Sequence, residues 1–145
     1  MELIVKDIMH TDVEKMHPST KIMEAVKKMI EKKIGCLLVV EDSKLVGILT
    51  EDDIIRKVVA EGRHPQDITI GEIMVKEVVH IAPGKSLEEA AELMTEKKIK
   101  KLPVVEGNRL YGIITATDMV AAEPKMIEHL GELILFAKKP QRIAG

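Results

Sequence analysis

The segment Gly112-Ile113-Ile114-Thr115-Ala116-Thr117-Asp118 carries the residue types of this chain best suited to chemistry. An apolar run ends there and a helix is expected to begin. The first amides of a helix lack internal acceptors and carry partial positive charge, so they favour an anion. Hydroxyls at Thr115 and Thr117 add donors for a phosphate. Asp118 is able to accept two hydrogen bonds from a vicinal diol such as a ribose offers. A phosphate seat beside a diol acceptor points to a nucleotide. Thr-x-x-Asp is equally a plain N-cap pattern, so on the residues by themselves a purely structural reading stands beside the binding one.

The pattern occurs twice. Ile48, Thr50 and Asp53 repeat it 65 residues earlier, but Asp52 stands where the later copy has Thr117. A carboxylate a few ångströms from a phosphate is repulsive by about 1–4 kcal/mol, depending on the effective dielectric. That range is roughly tenfold to a thousandfold in affinity. The sequence therefore predicts a main site at Asp118 for a phosphorylated ligand. The Asp53 site is expected to bind weakly or to prefer a ligand without phosphate.

Other chemistries find little support. His10, His17, His64, His80 and His129 show no HExxH or comparable close pairing, so no metal site is expected. Cys36 has no CxxC partner and opens an apolar strand, where a buried, unreactive thiol is expected. Glu51-Asp52-Asp53 falls at a helix start, where negative charge is favoured for local reasons. No P-loop or Rossmann glycine pattern appears. The residues predict neither catalysis nor a required cofactor.

These motifs sit in a duplicated frame. Asp7-Ile8-Met9 recurs as Glu72-Ile73-Met74, Pro18 as Pro83, and Glu31-Lys32-Lys33-Ile34 as Glu96-Lys97-Lys98-Ile99. Leu45-x-Gly47-Ile48 recurs as Leu110-x-Gly112-Ile113. Of the 49 positions 7–55, 20 are identical in the later copy without a gap, which marks a true internal repeat. Each copy reads as β-α-β-β-α. Ile22, Ala25, Val26, Met29 and Ile30 follow helical spacing, as do Leu87, Ala90, Ala91 and Met94 after the capping box Ser86-x-x-Glu89. Strands Leu37–Glu41 and Leu45–Thr50 flank a polar turn at Asp42-Ser43-Lys44. Strands Leu102–Glu106 and Leu110–Thr115 flank Gly107-Asn108-Arg109. A helix is expected from Thr50 towards Gly62, and its counterpart from Thr115 to near Pro124. The fold class is thus α/β (α+β), with repeats at 1–65 and 66–123. A copy of about 60 residues is too small for an ample core, so the two are expected to pack as one pseudo-twofold domain. Residues 124–145 form a C-terminal helix and tail. Met126, Ile127, Leu130, Leu133, Ile134 and Phe136 make an apolar stripe followed by Lys138-Lys139. It either caps its own domain or meets a second subunit or another protein. The ending Ile143-Ala144-Gly145 leaves open whether the C-terminus is truncated.

Composition narrows the partners. The chain has 145 residues, 22 Lys+Arg against 24 Asp+Glu, one Tyr, one Phe and no Trp. The balanced charge argues against nucleic acid or an anionic membrane as main partner, and the scarce aromatics argue against base stacking. No apolar run approaches the roughly 20 residues of a membrane helix. The N-terminus carries Glu2, Lys6 and Asp7 and does not read as a signal peptide. A cytoplasmic location is expected.

The paired repeats, the Asp/Glu-Ile-Met openings, the Leu102-Pro103-Val104-Val105 strand and the Gly-Ile-Ile-Thr-x-Thr-Asp segment resemble the CBS domain family, named after cystathionine β-synthase, over residues 5–123. The resemblance implies a Bateman module, two repeats joined through their sheets with clefts between them. It implies regulatory binding of AMP, ADP, ATP or S-adenosylmethionine, with AMP the first candidate, and control of an attached or partner effector protein. At the main site Asp118 would hold the ribose, Thr115 and Thr117 the phosphate, and Ile113 would line the pocket. Thr11 and Ile34-Gly35 would meet the adenine from the opposite repeat. Lys100 would lie near the phosphates, although Lys100 and Lys101 also read as a solvated pair beside Lys97 and Lys98. The weaker site would use Ile48, Thr50 and Asp53 facing Lys76, Ile99 and Lys100. A disc-like homodimer is further implied. Two functions follow: an adenine-nucleotide sensor, or a ligand-independent module for dimerisation and protein interaction.

Overall fold

Two short turns set the strand registers of this chain. Asp42 and Ser43 both take positive φ, 53° and 66°, and so do Gly107 and Asn108, 59° and 67°. That is the backbone of the two-residue hairpin turn whose twist matches its strands. A computed structural model describes residues 2–137. The side chains of residues 135–137 and the tail 138–145 lie outside that part, and with them Phe136, Lys138 and Lys139 of the expected stripe.

In chain order the elements are α1 (Val5–Ile8), β1 (Lys15–Met16), α2 (Ile22–Lys32), β2 (Cys36–Glu41), β3 (Lys44–Thr50), α3 (Glu51–Ile54) with a π turn (Ile55–Val59), and α4 (Ile70–Ile73). There follow α5 (Leu87–Lys97), β4 (Lys101–Glu106), β5 (Arg109–Thr115), α6 (Ala116–Ala122), a 3-10 turn (Pro124–Met126) and α7 (Ile127–Ala137). This is the mixed α/β composition expected. The elements fall into two compact units. Of the described residues, one comprises Asp12–Val79 and Gly107–Leu110; the other comprises 2–11, His80–Glu106 and 111–137. We call them the Asp53 unit and the Asp118 unit.

In the Asp53 unit, β1 runs parallel to β2 with Met16 beside Val39. β2 runs antiparallel to β3 with Cys36 opposite Thr50. Ile22, Ala25 and Met29 recur every three or four residues on α2, and this face is buried with Leu37, Val39, Leu49 and Val58. Each such Leu or Ile contributes about 1.5–3 kcal/mol by leaving water. In the Asp118 unit, Leu87, Ala90, Ala91 and Met94 of α5 repeat the pattern against Leu102, Val104, Ile114 and Met119. Met126 and Leu130, from the start of the expected C-terminal stripe, are buried in the same core.

The units do not follow the repeat boundaries, because the opening segments are exchanged. Val5 is buried in the Asp118 unit, where its amide donates to the Lys85 carbonyl at 2.8 Å and the Lys6 amide donates to Pro83 at 2.9 Å. Reciprocally, Ile70 and Ile73 are buried in the Asp53 unit, with the Ile70 amide on Thr20 and the Gly71 amide on Pro18, both at 2.8 Å. Each Ile-Met opening therefore completes the core of the other copy.

The helix expected from Thr50 to Gly62 is different in kind. It is α-helical over four residues and continues as a π turn, closed by the Ala60 amide on the Ile55 carbonyl at 2.8 Å. Its counterpart α6 stops at Ala122; Glu123 is extended, as the residue before Pro124 must avoid the helical region. Cys36, expected buried, is half-buried at the start of β2. Among the described residues no helix is long and apolar enough to cross a membrane.

Candidate functional site

The Asp118 site begins with a backbone approach that only glycine permits. His10 and Ile113 exchange two hydrogen bonds of 2.8 Å, which lays the end of the first opening segment along β5. A Cβ at Gly112 would collide with the His10 carbonyl oxygen and come within 3.2 Å of Met9 Sδ. The Gly-Ile pair is thus a docking surface for residue 10.

β5 then ends at Thr115, the N-cap of α6. The Asp118 amide donates to Thr115 Oγ1 at 3.1 Å, and Thr115 Oγ1 donates to Asp118 Oδ2 at 2.5 Å. The same carboxylate oxygen meets His10 Nε2 at 2.7 Å. A carboxylate in this contact can only accept, so Nε2 carries the proton. The side chains remain open to solvent, 57% exposed for His10 and 32% for Asp118. Oδ1 of Asp118 has no partner among the described residues. The Ala116 amide donates to the Lys100 carbonyl at 2.8 Å. Two of the amides expected to cradle a phosphate, those of Ala116 and Asp118, are therefore already in use. The single proton of the Thr115 hydroxyl is likewise spent on Asp118. The Thr117 hydroxyl is exposed and has no partner among the described residues.

The equivalent turn in the Asp53 unit is closed. Asp53 is 8% exposed. Its Oδ2 accepts from the Thr50 amide at 3.1 Å and from Thr50 Oγ1 at 2.9 Å, and its amide returns a bond of 3.1 Å to that hydroxyl. Its Oδ1 lies 3.3 Å from Lys57 Nζ, which also donates to the Ile73 carbonyl at 2.9 Å. Asp52, expected to repel phosphate, is paired with exposed Arg56 at 3.0 Å. The later copy has Ala121 and Ala122 where Arg56 and Lys57 stand.

The structure groups the expected residues by unit. Thr11, Ile99, Lys100, Ile113, Thr115, Thr117 and Asp118 belong to the Asp118 unit. Ile34, Gly35, Ile48, Thr50, Asp53 and Lys76 belong to the other. The expected sets paired Thr11, Ile34-Gly35 and Lys100 with Asp118, and Lys76, Ile99 and Lys100 with Asp53. Within the units, the Gly35 carbonyl accepts from the Glu51 amide at 3.0 Å, as that of Lys100 does from Ala116. Lys100, Lys76 and Thr11 are exposed, whereas Ile34, Ile48, Ile99 and Ile113 are half-buried. Sequence reasoning missed His10 and Lys57. His10 follows the Ile-Met opening, and its reach to Asp118 depends on the segment exchange. Lys57 lay four residues beyond Asp53, a spacing that brings helical side chains together. Among the described residues no three His, Cys, Asp or Glu side chains cluster as metal ligands would.

Residues 5–60 and 70–125 each match the family model of the CBS domain. The chain is similar to the CBS domain-containing protein YhcV of Bacillus subtilis, 39% identical over 115 residues, or 79% of this chain and 81% of that one. Two further relatives share less, 66% and 56% of their own length. Among solved structures, Hypoxic Response Protein I with two coordinated zinc ions is similar at a TM-score of 0.74 and 30% identity, covering 83% of this chain and 98% of that one. The CBS domain pair of protein MJ0100, in complex with 5′-methylthioadenosine and S-adenosyl-L-methionine, is similar at 0.67 and 34% identity, with 83% and 98% covered.

Proposed function

Because the chain belongs to the CBS-domain family, we propose that it is a non-catalytic regulatory module that binds an adenine nucleoside or nucleotide through Asp118. The observation that carries this reading is the half-exposed carboxylate of Asp118, one of whose oxygens is unengaged among the described residues. Such a group accepts both hydroxyls of a ribose diol. Thr117 on the same turn offers a hydroxyl to a phosphate or sulfonium-bearing tail, and Lys100 offers a charge. The adenosine-type ligands of the MJ0100 domain pair support the same ligand class. Closure of Asp53 by Thr50 and Lys57 favours one ligand per chain, with AMP the first candidate. Occupancy would then alter contacts with an effector protein in the cytoplasm.

Calorimetry with AMP, ADP, ATP, adenosine and S-adenosylmethionine tests the reading. We expect saturable binding of at least one compound, lost in Asp118→Ala and retained in Asp53→Ala. Equal loss in both variants, or no binding by the unmodified chain, overturns it.

A second reading, a ligand-independent module for homodimerisation and protein interaction, is favoured by the exposed apolar side chains Ile30, Ile55 and Val59 of the Asp53 unit, 72%, 59% and 66% accessible. Sedimentation of the ligand-free chain separates the two. A tight dimer in chain that binds no adenine compound supports this reading.

A further inference from the structure

Of the two Asp118 oxygens that a diol binding through both hydroxyls would use, Oδ2 already holds His10. We propose that His10 is a specificity-setting gate of this site, which competes with the ribose for Asp118 and makes affinity fall as the imidazole gains a proton. The inference rests on the reading of Asp118 as the diol acceptor.

The geometry suits a gate rather than a strut. The backbone of His10 is pinned to Ile113 by two hydrogen bonds of 2.8 Å over Gly112, so the segment stays in place. The ring is 57% exposed and is held by Asp118 alone among the described residues. Rotation about its side-chain bonds therefore frees the acceptor position of Oδ2 that His10 fills, while Oδ2 keeps its bond from the Thr115 hydroxyl and no element is disturbed. A charged imidazole holds a carboxylate more firmly than a neutral one, because hydrogen bonds between ions are roughly twice as strong. Among the described residues, few ionisable side chains flank the His10–Asp118 contact along the chain segments that meet there. α6 brings Asp118, β5 brings Tyr111, α1 brings Lys6 and Asp7, and Lys100 precedes β4. Asp7 is turned away onto the Ile4 amide at 2.9 Å. Of these side-chain types, histidine is the one whose ordinary pKa lies between about pH 5 and pH 8.

The earlier copy isolates the effect. Val75 stands at the position of His10, and Asp53 is answered instead by the Lys57 ammonium at 3.3 Å. One unit thus places an ammonium on its aspartate and the other an imidazole.

The test uses adenosine, which carries no phosphate to titrate, on the full chain at several pH values between about 5.5 and 8. In the unmodified protein affinity should fall about tenfold towards the acid end. His10→Ala should bind more tightly at low pH and show a flat profile. His10→Gln, which keeps a neutral donor, should also be flat but bind more weakly than His10→Ala. A profile that stays steep in both variants, or an unmodified protein with no pH dependence, overturns the gate while leaving Asp118 as the binding residue. Absence of adenosine binding at every pH in all three proteins overturns the gate and the functional reading together.

Discussion

Lys57 Nζ stands 3.3 Å from Asp53 Oδ1 and 2.9 Å from the Ile73 carbonyl, so one ammonium joins the buried aspartate to the exchanged segment α4. The later copy has no such group: Ala122 occupies the position, and Asp118 keeps a half-exposed carboxylate. Two aspartates of identical motif thus have different duties. One fastens the fold; the other faces solvent. The difference lies outside the motif, in residues one helical turn away and in the opening segments.

That division gives a stability order. Lys57→Met strands a carboxylate that is 8% exposed, whereas the lysine itself is 43% exposed. The cost should fall below that of a fully buried pair, at about 1–3 kcal/mol. Asp118→Ala removes a carboxylate that water reaches, and should cost no more than about 1 kcal/mol as a lost cap interaction. Urea unfolding midpoints of the two variants check the order. A larger loss from Asp118→Ala would mean that the roles are reversed.

Much of the frame was legible because the repeat is gap-free. The hairpin strands and the first long helix of each copy lie within a residue or two of the apolar runs, since burial and turn chemistry are local. The expected opening strand, by contrast, is two residues in the earlier copy and a single Ile81–Val104 bridge in the later. The exchange of the opening segments was not legible. Val5 and Ile70 are apolar wherever they pack, and the pattern does not say which copy's core receives them. The π turn after Ile54 was equally hidden, because an apolar spacing does not distinguish i→i+4 from i→i+5 bonding. In the sequence, Asp52 is the feature that separates the two sites. The structure adds the cations, pairing Asp52 with Arg56 and Asp53 with Lys57.

Gly112 and Gly47 should tolerate alanine unequally. At Gly112 the added methyl meets the His10 carbonyl oxygen, a backbone atom fixed by two hydrogen bonds. At Gly47 the nearest atom is Met74 Sδ at 2.6 Å, the adaptable part of a side chain, with the Val75 oxygen at 3.0 Å. Gly112→Ala is therefore expected to cost about 1–3 kcal/mol as overpacking does, and more than Gly47→Ala. It should also displace His10 and disturb ligand affinity. Thermal melts and adenosine titration of both variants read the two effects. Equal melting points would contradict the close approach at residue 10.

Glu72 supplies a pH signature for the exchanged segment α4. Its carboxylate accepts from the Thr69 amide at 2.7 Å and from the Thr69 hydroxyl at 3.1 Å. These bonds, with Arg63 nearby, hold its pKa below the ordinary carboxylate value. A carboxyl that titrates lower in the folded chain than in the unfolded one stabilises only while ionised. Its contribution is complete above the unfolded value, about 4.3, and is lost as pH falls through the lowered folded value. Glu72→Gln should therefore be less stable than the unmodified protein at neutral pH. The gap should close in acid, where a protonated Glu72 offers Thr69 no better acceptor than the amide does. Unfolding midpoints of both proteins from neutral pH into acid measure that gap. A gap that stays constant with pH would show that Glu72 acts through shape or propensity and that its charge does not cap α4.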